Sequence, residues 1–168
     1  MLNDTRVFEA NSQGGGAFGD LPEWDLSDLY ASEDAAELQA DLTWLKQSCI
    51  DFSNDYEGKL AQLNADEMLK AVERYEAIDI IAGRIMSFAG LRYYQLTTDP
   101  ERAKFMSDMQ DKLTEHTTKL VFYGLEFNRL EEEALSKLLA QNAALARYKP
   151  VFDRLPAMKP YPLSDQMV

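Results

Sequence analysis

One histidine and one cysteine in 168 residues is a sparse supply of the side chains that hold transition metals or act as nucleophiles. A zinc hydrolase site on a helix needs two histidines four apart with a glutamate beside the first, so that both imidazoles reach one metal and the carboxylate activates its water. His116 alone cannot supply it. A carboxylate-bridged di-metal site in a bundle fails too, because the residue three before His116 is Leu113 rather than glutamate. Cys49 has no second cysteine for an internal disulfide, which fits a reducing compartment; a nucleophilic role would need a histidine in reach, and its place on an apolar stripe reads as a small core residue instead. Basic residues are scarce as well. Seventeen Lys and Arg against 29 Asp and Glu leave a formal charge of −12, which argues against nucleic acid or an anionic membrane as partner, since polyanions are bound by clustered cations. Long apolar runs are missing: residues 78–85 are interrupted by Asp79 and Arg84 and are far too short to span a bilayer. The N-terminus shows no basic segment followed by an apolar run, so a secretory signal is not expected and the chain reads as cytoplasmic.

What is present is helix. The apolar positions Ala35, Leu38, Leu42, Leu45, Cys49, Phe52 and Tyr56 alternate steps of three and four, with Ser32 as the expected N-cap and Gly58 as the stop, a rod of ~33 Å. Trp44 lies off this stripe. Asn64 and Glu67 form a capping-box pattern, after which no proline interrupts the chain until Pro100. The apolar surface of that second helix is wide, which places it centrally, and Gly83 and Gly90 suggest a close approach by another helix. Asp99-Pro100-Glu101 starts a third helix whose stripe runs through Met106, Met109, Leu113, His116, Leu120, Tyr123, Phe127 and Leu130, ~45 Å in all. His116 on this stripe is a core or interface residue. The short Thr97-Thr98-Asp99 link makes helices two and three antiparallel neighbours. A fourth helix over residues 131–141 should bury Leu135, Leu138 and Leu139, and a fifth over 143–155 is broken or kinked at Pro150.

The expected fold is therefore all-α: an antiparallel bundle of three long helices followed by shorter C-terminal helices, with a flexible N-terminal arm. Residues 1–20, rich in Gly, Asn and Ser, form the arm; their glycines lack the Gly-Lys-Ser/Thr and preceding strand of a phosphate loop. Residues 21–31 form a docking strap in which Asp25 caps a short turn and Leu26 and Leu29 face the bundle. Residues 32–168 form the helical domain. Acid pairs such as Glu73 with Glu76 are the expected solvated face of an acidic chain, whereas Arg147, Lys149, Arg154 and Lys159 make a local basic cluster that could meet an acidic surface or a peptide carboxylate. The closing Leu163-Ser164-Asp165-Gln166 reads as a helix cut at its first turn, as in a fragment.

Leu21-Pro22-x-Trp24-Asp25-Leu26-x-Asp28-Leu29-Tyr30, the Tyr93-Tyr94 and Asp99 pattern, and Tyr148 with Lys159-Pro160-Tyr161-Pro162-Leu163-Ser164 resemble the N-terminal region of oligoendopeptidase F, a zinc metallopeptidase of the thimet-oligopeptidase-like M3 family. The resemblance implies a mostly helical, clamshell-shaped enzyme that cleaves short peptides in a deep channel, with a His-Glu-x-x-His zinc motif in a catalytic lobe outside this sequence. No catalytic or metal-binding residue carries over to this chain; zinc is expected in the missing lobe. The implied role is a non-catalytic wall of the substrate channel, with the catalytic lobe and an oligopeptide as partners. A fragment cut from such an enzyme is expected to expose an apolar face meant for the rest of it, through which it could self-associate. Candidate lobe-interface or channel contacts are Trp24, Tyr93, Tyr94, Arg147, Tyr148, Lys159 and Tyr161. The alternative is a self-contained acidic helical adaptor that binds a partner helix.

Overall fold

The computed structural model describes residues 24–158. The expected arm (1–20), Leu21 and Pro22 of the strap, and the closing segment with Lys159, Tyr161 and Ser164 lie outside the described residues. The described chain is all-helical: α1 (Ala36–Tyr56), α2 (Ala65–Gln95), α3 (Pro100–Thr117), α4 (Val121–Arg129), α5 (Glu132–Gln141), α6 (Ala143–Ala146) and α7 (Lys149–Met158), with 3-10 turns at Leu60–Gln62 and Thr118–Leu120.

Cross-helix ion pairs fix the order of packing. Arg92, Arg84 and Arg74 descend α2 and meet Glu33, Glu37 with Asp41, and Asp55 in ascending order on and just before α1, so the two helices are antiparallel. Phe88 meets Phe105, and the Arg102 guanidinium donates to the Arg92 carbonyl, which makes α3 antiparallel to α2 in turn. The expected helix starts hold at both corners. The Asn64 side chain accepts from the Asp66 and Glu67 amides while Glu67 returns a bond to the Asn64 amide, and Asp99 caps α3 with Pro100 at its first position.

Four expectations change in the structure. Ser32 is not the cap of α1: its hydroxyl donates to Asp34 Oδ1 at 2.6 Å, and the helix starts at Ala36 with no side-chain cap. The third long helix is broken between Thr117 and Val121. There Thr114, Thr117 and Thr118 each donate a hydroxyl to the carbonyl four residues back, a bond that bends helices, and the chain tightens into a 3-10 turn before α4 resumes. Gly83 and Gly90 mark no helix crossing. Among the described residues a Cβ at Gly83 would meet no atom within 4 Å, and one at Gly90 would meet only Tyr94 of the same helix at 3.8 Å. The fifth helix divides at Arg147 and Tyr148, so that Pro150 falls in the first turn of α7 rather than inside a helix.

Gly58 closes α1 at φ 75°, a conformation that suits glycine. Its amide donates to Glu126 Oε1 at 2.6 Å and the Leu60 amide donates to Glu126 Oε2 at 3.3 Å, so a carboxylate on α4 ties down the loop between α1 and α2. Replacing Glu126 with alanine should therefore cost about 1–2 kcal/mol, since two amides lose a charged acceptor at a part-exposed site. Urea unfolding of the variant beside the parent checks it.

The core has two aromatic centres. At one end Tyr30 meets Phe88 edge-on with centroids 5.4 Å apart, and Phe88 meets Phe105. At the other, fully buried Phe52 contacts Tyr56, Tyr75, Phe122 and Tyr123; Tyr75 stacks on Tyr123 at 4.3 Å, and Phe127 stacks on Phe152. The α1 stripe behaves as expected, with Leu38, Leu42, Leu45, Cys49 and Phe52 all buried, while Trp44 is exposed. Leu135, Leu138 and Leu139 of α5 are half-buried against the core rather than enclosed by it. His116 is half-buried.

Candidate functional site

The described part of the strap, from Trp24 on, lies against the bundle. Asp25 Oδ1 accepts from the Ser27 amide, the Leu26 carbonyl accepts from the Leu29 and Tyr30 amides, and Leu26 and Leu29 lie against the core. The turn delivers Tyr30 into the bundle, where its hydroxyl donates to Asp41 Oδ2 at 2.7 Å. Arg84 locks the arrangement. Its guanidinium lies 4.3 Å above the Tyr30 ring, donates to the Leu29 carbonyl, and pairs with Glu37 at 2.9 Å and Asp41 at 3.2 Å. The Glu37 bond, above all, raises the Arg84 pKa. In sequence Arg84 registers only as a charge interrupting an apolar run. The signal for its role was the four-residue spacing of Glu33, Glu37 and Asp41, which lines acids along the α1 face opposite Arg84 and Arg92.

Trp24 ends the described strap with 56% of its surface exposed, held by its carbonyl, which accepts from Gln95 Nε2 at 2.8 Å. Tyr94 is exposed and Tyr93 half-buried, their rings 5.4 Å apart at the same end of α2. Arg147 is exposed, while half-buried Tyr148 donates its hydroxyl to Glu76 Oε2 at 2.8 Å, a bond that raises the Tyr148 pKa. Glu76 and Tyr93 are seventeen residues apart on one helix, about 25 Å at ~1.5 Å per residue. The candidate contacts thus form two groups, Trp24 with Tyr93 and Tyr94 at the end of α2, and Arg147 with Tyr148 near its middle. Within the basic cluster, Lys149 is neutralised by Asp153 one turn on.

Tyr148, though not Arg147, lines one of two neighbouring concavities. One, of ≈ 330 Å³, opens between α2, α4 and α7 and is walled by Val72, Tyr75, Tyr123, Phe127, Tyr148 and Phe152, with Glu76, Asp79 and Val151 at its rim. A second of ≈ 330 Å³ continues from it, sharing Tyr75 and Asp79 and ending at Ala82, Leu120 and Val121. Tyr75 and Tyr123, which periodicity places on apolar stripes, line this groove between α2, α4 and α7.

Burial raises the pKa of Tyr123 and, together with the Asp41 bond, that of Tyr30, from an ordinary value of 10.0. In the unfolded chain both phenols ionise near that pH while the folded state keeps its protons. The contribution of these two phenols to stability should be constant below about pH 10 and fall as pH rises beyond it, by up to about 1.4 kcal/mol per pH unit for each group. Denaturation midpoints between pH 8 and 11.5, with absorbance at 295 nm to follow phenolate, test this. The Cys49 thiol is buried and its pKa is raised by that burial. An aromatic disulfide reagent should leave it unmodified in the native protein and react fully in denaturant.

Among the described residues no group of His, Cys, Asp and Glu could hold a metal ion, and no helix is long and apolar enough to cross a membrane. The fold and its groove define an all-helical module with an aromatic, acid-rimmed surface cleft. Comparison with known proteins goes further. A family model described as Oligopeptidase F matches residues 126–167. Oligoendopeptidase F, plasmid, of Lactococcus lactis subsp. cremoris is 25% identical over 150 residues, covering 88% of this chain and 24% of the relative. An oligoendopeptidase F homolog of Lactococcus lactis subsp. lactis (strain IL1403) is 24% identical over 143 residues, 85% of this chain and 23% of the relative. The chain spans about a quarter of the length of these curated relatives. No solved structure matches it significantly. The findings support the resemblance of its motifs: the chain is similar to the N-terminal region of oligoendopeptidase F.

Proposed function

We infer that this chain is a non-catalytic N-terminal domain of a cytoplasmic, zinc-dependent oligoendopeptidase, and that it walls the channel in which the enzyme cuts short peptides. The observation that carries the reading is the likeness to oligoendopeptidase F along most of this chain and only a quarter of the relatives. The donors described here do not fit a zinc ion, so no step of zinc chemistry is assigned to them. In this reading the metal and its His-Glu-x-x-His ligands sit in a separate catalytic lobe. The domain contributes what rigid helices can: a wall that excludes folded proteins and surfaces on which the lobe and the peptide rest. Trp24, Tyr93, Tyr94, Arg147 and Tyr148 are proposed contacts of that kind, and Lys159 and Tyr161, outside the described residues, are proposed with them.

The test is hydrolysis of quenched-fluorescent oligopeptides by the purified chain, with and without added zinc. The expected result is no cleavage under either condition. Zinc-dependent cleavage abolished by a chelator would place the catalytic machinery in this chain and overturn the reading.

A further inference from the structure

No described residue fills the long groove beside α2, yet it is built like an interface. From Val72 to Ala82 it follows ten residues of helix, ~15 Å or about three turns, the span over which a partner helix presents one apolar stripe. Its floor is aromatic, and large apolar side chains stand exposed at both ends, Val151 at 56% and Val121 at 45%. The charged side chains lining it, Glu76 and Asp79, are both carboxylates. Glu76 holds the Tyr148 hydroxyl, whereas Asp79 has no ion-pair partner among the described residues.

We propose that this groove seats an amphipathic helix with lysine or arginine beside its apolar stripe, supplied by the polypeptide that lies outside these 168 residues. The proposal rests on the reading of the chain as one domain of a longer oligoendopeptidase. Three observations select this occupant. The acidic lining calls for cations at the edge of an apolar stripe. Of the wall opposite α2, Phe127 at the end of α4 and Tyr148, Val151 and Phe152 at and on α7 fall in the segment matched by the family model, residues 126–167. The chain also covers only 24% and 23% of its relatives, which leaves most of such an enzyme to provide the helix. A second copy of this chain is disfavoured by its charge of −12, which would bring carboxylate to carboxylate.

The first experiment titrates the purified chain with labelled fifteen-residue helical peptides that share a leucine stripe and differ at its edge. The lysine-edged peptide should bind at least tenfold more tightly than the glutamate-edged one, and a scrambled peptide of the same charge should not bind. Val151→Asp, at an exposed position, should abolish binding with an unchanged circular dichroism melt. It adds negative charge, so general attraction between the acidic chain and a basic peptide would survive it. Asp79→Lys should reverse the preference. Equal binding of the scrambled peptide, no binding at millimolar concentration, or indifference to Val151→Asp overturns the proposal. So does a dimer that Val151→Asp dissolves, which assigns the groove to a second copy.

The second experiment identifies the source of the helix. A thiol at Val151→Cys should react freely with maleimide in this chain and be protected at least tenfold in the polypeptide of the full reading frame. Equal labelling overturns the proposal while leaving the peptidase reading intact. That reading fails separately, through chelator-sensitive cleavage by the isolated chain.

Discussion

Phe52→Ala should cost about 3–5 kcal/mol, a large part of the stability of a domain this size. Phe52 is fully buried and sits where three helical segments meet. Its ring touches Tyr56 on its own helix, Tyr75 on α2, and Phe122 and Tyr123 on α4, at centroid distances of 4.8, 5.9, 6.0 and 5.3 Å. Removing it opens a cavity that the stacked Tyr75–Tyr123 pair cannot collapse into without abandoning its own 4.3 Å contact. The effect should reach the groove, because Tyr75 and Tyr123 form its floor. Chemical unfolding gives the stability, and Phe52→Leu, expected to cost about 1–2 kcal/mol by retaining most of the apolar volume, keeps the comparison measurable if the alanine variant does not fold.

Loosening the strap is the second large effect. Tyr30→Ala removes a ring with 1% exposure that is wedged between Phe88 and the Arg84 guanidinium, and should cost about 3–4 kcal/mol. Tyr30→Phe keeps both ring contacts and loses only the bond to Asp41, about 1 kcal/mol. Arg84→Met retains the aliphatic stem but leaves Glu37, Asp41 and the Leu29 carbonyl without their shared donor. Its head is partly solvent-screened, so a loss of about 2 kcal/mol is expected rather than that of a fully buried pair. Hydrogen exchange at the Leu29 and Tyr30 amides should rise in both Tyr30→Ala and Arg84→Met, while exchange in the middle of α1 changes little in the arginine variant. A double-mutant cycle between Tyr30 and Arg84 should show coupling, because each holds the other in place.

The parts of this fold that a sequence displays are those set by local rules. The α1 stripe from Leu38 to Phe52, the Asn64–Glu67 capping box and the Asp99-Pro100 start depend on residues within one or two turns, and all appear as read. The break after Thr117 depends on whether three threonines turn their hydroxyls back to the backbone, a choice the apolar periodicity through His116 and Leu120 hides. Gly83 and Gly90 stand one heptad apart, which mimics a helix crossing, but only tertiary packing decides whether a neighbour fills the space, and none of the described helices does. The site was legible in part. Tyr148 proved to border the groove, but its partner Glu76 lies seventy-two residues away and had been read as part of a solvated face. Cross-helix partners of that kind, like Arg84 with Asp41 and Glu126 with Gly58, follow from register between helices rather than from spacing within one.

That the chain is one domain of a larger zinc peptidase, as proposed, is tested most directly by the reading frame downstream of Val168. It should continue well beyond the 19.1 kDa described here to a His-Glu-x-x-His motif, and the whole polypeptide should cleave oligopeptides in a zinc-dependent manner. A native polypeptide that ends at Val168, or one whose continuation carries no such motif, would contradict this and favour the acidic helical adaptor.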